Sequence, residues 1–427
     1  MLVAICLEIS AVRADAAPDS DLRLVVIVTR HGVRPPLAKD SFVVRAAAQP
    51  WPKWEVPAEF LTPHGAQLVT MLGAYYRALY IREGLLTGDP AMDAPHVFFH
   101  SDNDERTIES ARNLGRGLLP GLEPEVQSLP AGRIDPLFRP VLIPLGHPDR
   151  ALAVEAALGR VGHDLPAIVE AHRAAYDQLE RVLFGGDGAV PAGKMSPIAL
   201  GGIKIAREEV GPKIDALITV EPFHKCMTLT EDLLLEYEDG MPMEDVGWGR
   251  VTPGVLAQLL ELHSLYWDIA QRTFYVAQVQ GSNLAAHIQR TLDQAVAAQP
   301  ESGAFGTPAD RLVVVDGHDT NLINLSGLLG ITWTVPGTQM NPVLPGSALV
   351  FELRQRRSDH EFLVRIHYVS QTLDQMRNLQ PLTLEHGPFT APIFIPGCSE
   401  AGPGSDAPYE KFKAMMDRVI DRQFTDM

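Results

Sequence analysis

The sequence predicts an α/β protein: a mixed, mostly parallel sheet flanked by helices, with an inserted all-α domain. Three observations carry this. Short strand-like apolar runs, at Leu22–Thr29 (rich in β-branched residues), His96–Asp102 and the start of Arg311–Gly330, each lead through a polar turn into a helical pattern. From about Ala151 to Pro300 the pattern is mostly helical. Two adjacent strand-like runs follow, Ser347–Arg356 and Glu361–Ser370, and they read as a hairpin. The expected organisation is a partial signal peptide over 1–16, an α/β domain from 17–148 and 303–427, and an α-helical domain over 149–302.

The elements follow in order. Leu2 to Leu7 is a short apolar run, and Ala14-Asp15-Ala16 stands just before Ala17-Pro18. That pattern matches the back half of a secretory signal and implies a periplasmic or secreted protein. No basic residue precedes the run and Glu8 interrupts it, so an ordinary frayed terminus is the alternative. Leu22 to Thr29 reads as a strand buried on both faces. Between Leu61 and Leu86, Leu68, Met71, Leu72, Tyr75, Tyr76 and Leu79 fall at helical spacings after the start signal Thr62-Pro63. His96–Asp102 is a second buried strand. Asn103–Leu119 is a helix whose first turn is acidic, which suits the helix dipole. Amphipathic stripes mark Ala167–Gly185 and Val255–Val279, with a loop-rich break at Gly185–Gly202. Arg311–Gly330 is again strand, tight turn and helix.

Composition excludes several classes. The chain has 427 residues, 46% hydrophobic and 21% charged, as in ordinary globular proteins. No internal apolar run reaches the ~18 residues of a membrane span. A formal charge of −17 argues against nucleic acid as the main partner. No Cys/His spacing resembles a zinc site, and neither metal nor cofactor is expected. His96 and His100 are four apart but sit in a strand pattern, so they are not read as a metal pair. Of three cysteines, Cys6 would leave with the signal, and Cys226 and Cys398 could pair or remain free thiols.

Three strand-to-helix junctions carry the unusual polar residues: Arg30-His31-Gly32-Val33-Arg34, Asp102 to Thr107, and Gly317 to Asn321. Ligands of α/β sheets bind at the carboxyl ends of the strands, so parallel strands would bring these junctions to one crevice. The inventory suits phosphoryl transfer. Arginine grips phosphate oxygens bidentately. A neutral imidazole is a competent nucleophile, and a carboxylic acid can protonate a leaving alkoxide. There is no Gly-rich phosphate loop and no evident partner for a serine nucleophile. Each junction alone is a common accident, since Asp is a good N-cap and a helix arginine is usually a surface residue. All three together are the signal.

The paired motifs RHGVRPP and GHDTN resemble those of the histidine acid phosphatases, the large branch of the histidine phosphatase superfamily. The segment SDNDERTIESA resembles the one that supplies that family's third arginine, and the likeness runs from about Leu22 to Cys398. Further stretches, including GMPMEDVGWGRVT and PGSALVFELRQR, are similar to the bacterial phytase and glucose-1-phosphatase group. The resemblance implies hydrolysis of small phosphate monoesters, such as sugar or inositol phosphates. His31 would form a phosphohistidine. Arg30, Arg34 and Arg106 would hold the phosphoryl oxygens, His318 would add a donor, and Asp319 would protonate the leaving oxygen. Thr320 and Glu231 are further candidates for lining the site; Glu231 reads equally as a solvated helix-start carboxylate. Gly32 is expected to let the backbone pass close to phosphate. A bound phosphate should raise the pKa of Asp319 and give an acidic optimum.

Some positions depart from the pattern. Bacterial phytases tend to carry Thr-Lys after the first motif, where this chain has Leu37-Ala38 and Lys39 one position late. Gln278 and Gln280 stand where a phytase would place another arginine. Both changes lower positive charge and lean toward the glucose-1-phosphatase side. Most of the family's disulfides are absent. Two other readings are a phosphoglycerate-mutase-like phosphotransferase, which usually uses a glutamate acid, and a non-catalytic phosphosugar-binding protein. The oligomeric state is open.

Overall fold

The computed structural model describes residues 19–37, 41–143, 145–207 and 216–426. The signal-like segment 1–16 and Lys39 lie outside the described residues. Eight strands form the main sheet: β1 (Ser20–Arg30), β2 (Val97–Ser101), β3 (Val126–Gln127), β6 (Leu312–Gly317), β7 (Ala348–Arg356), β8 (Phe362–Ser370), β9 (Phe389–Ile393) and β10 (Ala407–Pro408). The remaining pair, β4 (Lys204–Arg207) and β5 (Ile218–Glu221), makes a separate antiparallel ribbon. The main order is β10-β8-β7-β1-β6-β2-β3, with β9 also on the outer edge of β8. Pairing is parallel from β1 through β6 and β2 to β3 and antiparallel from β1 through β7 to the far edge. The expected mixed sheet is therefore present, with its parallel pairs confined to one half. The hairpin read at its end is β7–β8.

Alternation along β1 explains its burial on both faces. Val25 and Ile27 join Val314 and Leu312 under the helices Pro63–Arg82 and Glu105–Leu118. Leu24, Val26 and Val28 face a second cluster with Val313 and Val315, under the helices Phe274–Ala297, Asp319–Leu329 and Tyr409–Val419. That cluster continues without a break into the helices between residues 150 and 297. The segment expected to be all-α is helical apart from the β4–β5 ribbon. Its long stripes also break: Leu165–Ala171 and Arg173–Phe184 meet at His172, and Pro253–Ala270 ends three residues before Phe274–Ala297.

Two glycines set one close approach. A Cβ on Gly73 would lie 2.0 Å from the Leu114 carbonyl oxygen, and one on Gly117 would lie 2.0 Å from that of Thr70. The helices Pro63–Arg82 and Glu105–Leu118 therefore touch backbone to backbone. Thr62 starts the first as read: its Oγ1 accepts from Gly65 N at 2.9 Å, with Pro63 in the first turn. This contact seats the second helix, and with it Arg106 and Ser110, above the end of β1. Cys226 and Cys398 are buried free thiols. No helix among the described residues is long and apolar enough to cross a membrane.

Candidate active site

Strand register brings the three junctions together. Arg30 pairs with Gly317, and Asp316 pairs with both Thr29 and Ser101. One residue further on, His31 N donates to Gly317 O and Asp102 N to Asp316 O, each at 3.0 Å. The sequence motifs thus converge at the carboxyl ends of three parallel strands.

His31 sits at the centre, 2% exposed. Its Nδ1 lies 2.8 Å from the carbonyl oxygen of Gly32. A carbonyl can only accept, so this contact assigns the proton to Nδ1 and leaves the lone pair on Nε2. Burial, then the charges of Arg106, Arg34, Arg30 and His318, push the imidazole pKa well below its ordinary value. Both effects favour the neutral ring, the form a nucleophile needs. Gly32 N donates to Ser110 Oγ at 2.8 Å and ties the turn to the neighbouring helix. Gly32 is also closely packed on its helix side. A Cβ there would meet Leu61 Cδ1 at 2.9 Å and Val69 Cγ1 at 3.1 Å, so the close neighbour is the Pro63–Arg82 helix and its entry.

The arginines surround the ring. Arg30 is fully buried, donates to Val343 O at 2.6 Å and pairs with Glu231 and, at 3.1 Å, with Asp319 Oδ2. Arg34 donates to Pro35 O at 3.1 Å and lies 3.4 Å from Glu231 Oε1. Arg106 pairs with Asp104 at 2.6 Å. Burial and the neighbouring Arg34 lower its pKa to about 10, which leaves it cationic in acid and at neutrality. The buried Nε atoms of all three have no hydrogen-bond partner among the described residues, so each guanidinium keeps donor capacity. Glu231 is a central residue of the helix Phe223–Glu238, is 8% exposed, and is the shared counter-charge of Arg30 and Arg34. The solvated reading of Glu231 is thereby overturned: burial against two guanidiniums holds it at the site.

His318 and Asp319 open the helix Asp319–Leu329. His318 Nε2 lies 2.7 Å from Asp102 Oδ2, and its ring centroid is 5.6 Å from that of His31. His318 N donates to Asn321 Oδ1 at 2.8 Å, which closes the turn. Asp319 Oδ1 accepts from Thr320 N at 2.7 Å, and that backbone contact is how Thr320 joins the site. Burial raises the Asp319 pKa, but Arg30, Arg34, His318 and the Thr320 N–H outweigh it and hold it below the ordinary value.

Three further groups, Arg139, Glu238 and Asp316, escaped the sequence reading, as did the role of Asp102. Arg139 bonds Asp102 and Asp104 from a turn with no motif. Asp102 was visible as part of the second junction, but its bond to His318 was not. Glu238 and Asp316 are buried acids. Among the described residues neither Glu238 oxygen has a hydrogen-bond partner and Asp316 Oδ1 has none, and burial raises both pKa values well above the ordinary range. Gln278 and Gln280 do not reach the site. Gln278 donates to Val419 O at 2.9 Å, and Gln280 joins a buried amide cluster with Gln271 and Asn324. Leu37 is 53% exposed just beyond the arginine-bearing turn.

Asp102, Asp104 and His318 place donor atoms within 4.8 Å of one another. The same two carboxylate oxygens already accept from Arg139, so a guanidinium stands where a metal ion would. A separate cavity of about 720 Å³ lies at the amino end of β1 and holds no histidine. Its Arg354, Arg356 and Arg365 are all paired with acids, so the chemistry belongs to the carboxyl ends instead.

Fold and donor set together describe an α/β protein built to hold a phosphoryl group against a histidine. The chain belongs to the histidine phosphatase superfamily, branch 2, whose pattern matches residues 21–137 and 221–369. It is 32% identical to phytase AppA of Escherichia coli (strain K12) over 391 residues, covering 91% of this chain and 89% of that one. It is 25% identical to a glucose-1-phosphatase of Salmonella typhimurium, covering 95% of each chain. The solved structure of Hafnia alvei phytase in complex with tartrate superposes with a TM-score of 0.86 at 29% identity, over 96% of this chain and 100% of that one. Citrobacter braakii phytase gives 0.84 at 29% identity, over 95% and 99%.

Proposed function

We propose that this chain is an acid phosphomonoesterase that hydrolyses small phosphate esters, sugar and inositol phosphates included. The observation that carries this is the neutral His31 Nε2, buried among Arg30, Arg34 and Arg106 with Asp319 at hand. In the first step the Nε2 lone pair attacks phosphorus and the P–O ester bond breaks. Asp319 gives its proton to the departing oxygen, and the alcohol leaves. In the second, Asp319 carboxylate takes a proton from water, whose oxygen attacks phosphorus. The P–N bond breaks, its electron pair returns to Nε2, and phosphate leaves. His318, held by Asp102, faces the same group. Residues 149–302 act as an inserted unit over the crevice, a role supported by Glu231 reaching Arg30 and Arg34.

Both the phytase and the glucose-1-phosphatase relatives support this substrate range. Leu37 at the rim, and Gln278 and Gln280 turned elsewhere, lean away from specialisation for a highly charged ring. Export to the periplasm or medium is part of the proposal and is tested by fractionation of cells expressing the full chain. The activity test is phosphate release from p-nitrophenyl phosphate, glucose 1-phosphate and phytate between pH 3 and 8, with His31→Ala as control. Turnover peaking in acid and lost in the variant is expected. Phosphate binding without turnover would favour a binding protein, and transfer to an acceptor in place of water would favour a mutase-like phosphotransferase.

A further inference from the structure

Arg139 lies outside every motif, yet it joins the two acids of the second junction. Its Nε donates to Asp102 Oδ2 at 2.9 Å, and one terminal nitrogen donates to Asp104 Oδ2. That same nitrogen is 3.3 Å from His318 Nε2. Each carboxylate has a second duty. Asp102 Oδ2 lies 2.7 Å from His318 Nε2, and Asp104 Oδ2 lies 2.6 Å from an Arg106 terminal nitrogen. Asp104 is also the N-cap of the Glu105–Leu118 helix, but its side chain makes no capping bond; it is given over to the two arginines.

We propose that Arg139 is a positioning residue for phosphoryl transfer: its planar guanidinium locks Asp102 to Asp104 and so sets the spacing of His318 and Arg106 across the crevice. The proposal rests on the hydrolase reading above. Two carboxylates this close repel each other unless a cation lies between them. A guanidinium both neutralises them and offers paired donors in one plane, which an ammonium group cannot. The titratable and charged groups facing His318 are Asp102 and Asp104 from the turn after β2, Arg106 from the next helix, Arg139, the neutral His31 and the adjoining Asp319. Burial lowers the His318 pKa, Asp102 opposes this by favouring the protonated ring, and Arg106 and Arg139 add to the lowering. Loss of Arg139 therefore loosens both acids and makes His318 easier to protonate.

The test uses Arg139→Ala, Arg139→Gln and Arg139→Lys in the full chain, with thermal melts to show that each folds. Three readouts are taken: kcat and KM for p-nitrophenyl phosphate from pH 3 to 8, calorimetric binding of inorganic phosphate, and NMR titration of the His318 ring, assigned with His318→Gln. In the Ala and Gln variants kcat/KM is expected to fall roughly ten- to a hundredfold, the range seen when an outer contact that orients a working group is lost. Phosphate binding weakens, and His318 titrates at higher pH than in the parent. Lysine keeps the titration near its parent position but restores only part of kcat/KM, because it supplies charge without the fork. A His318 titration and a kcat/KM within twofold of the parent in folded Ala or Gln variants would overturn the proposal. Full recovery by lysine would overturn the bridging role. The NMR readout needs no turnover, so a parent protein that releases no phosphate would sink the hydrolase reading while Arg139 remained testable.

Discussion

Replacing Asp319 with asparagine removes a proton donor while keeping its shape. The amide oxygen can still accept from Thr320 N, as the carboxylate does at 2.7 Å. What disappears is the dissociable proton and the negative charge 3.1 Å from Arg30. Proton transfer to a leaving group is worth about 10²–10⁴-fold in rate, or roughly 3–5.5 kcal/mol of barrier. In the first step that cost falls only on leaving groups that need a proton, whereas loss of the base slows the second step equally for every ester. The Asp319→Asn variant should therefore lose about 10²–10⁴-fold on glycerol 2-phosphate, whose alkoxide is a poor leaving group. On p-nitrophenyl phosphate, whose phenolate departs unaided, it should lose far less. The comparison is made on kcat/KM, which reports the steps up to departure of the alcohol, with rapid quenching to trap the acid-labile phosphohistidine and follow its breakdown separately. The pH dependence has a definite sign. In the ligand-free site Asp319 is held ionised, chiefly by Arg30 and Arg34 against the effect of burial. A bound phosphoryl group occupies those arginines and adds negative charge, so the acid regains its proton in the complex. Turnover of the alkyl ester should fall as pH rises through that complex pKa, and the variant should lack this limb. Equal losses on the two esters, or an intact basic limb in the variant, would refute the assignment of Asp319 as the acid.

Other outcomes follow from packing and burial. Gly73→Ala puts a Cβ 2.0 Å from the Leu114 carbonyl oxygen, so the two helices must part by more than an ångström. About 1–3 kcal/mol of stability should be lost, and KM should rise because Arg106 and Ser110 ride on the displaced helix; an unchanged melting temperature would contradict the backbone contact. Glu238→Met removes a buried carboxyl with no hydrogen-bond partner and should stabilise the fold at pH 7 by about 1–3 kcal/mol. The folded-state pKa of Glu238 is raised, so the native state holds a proton that the unfolded chain releases above the ordinary value near 4.5. The penalty therefore grows as pH rises past that value. Melting curves should show a larger gain at pH 7 than at pH 4, and a gain larger in acid would reverse the argument. Glu352 acts in the opposite sense. Burial would raise its pKa, but His367 and Arg354 hold it down at about 2. Its contribution to stability is present above the ordinary value near 4.5 and fades as pH falls toward about 2, so Glu352→Gln should cost more at pH 6 than at pH 2.5.

The local sequence determined a good deal of this protein. Apolar runs ending in polar turns located β1, β2 and β6; β1 and β6 are β-branched-rich because a strand buried on both faces admits few other residues, while β2 is only half-buried. The motifs at their ends named His31, Arg30, Arg34, Arg106, His318 and Asp319, because each lies within a few residues of its own strand. Even Glu231 could be singled out, though not its burial. Tertiary structure alone decided the rest. Arg139 carries no local signal, since its meaning comes from carboxylates some 35 residues away in the chain. The helix that packs closely against Gly32 cannot be read from a turn either. The same holds for Gly73 and Gly117, which look like weak helix residues until two backbones meet at them. Periodicity reports which face of an element is apolar. Which element covers that face, and which charges then meet across it, is settled only when the chain closes.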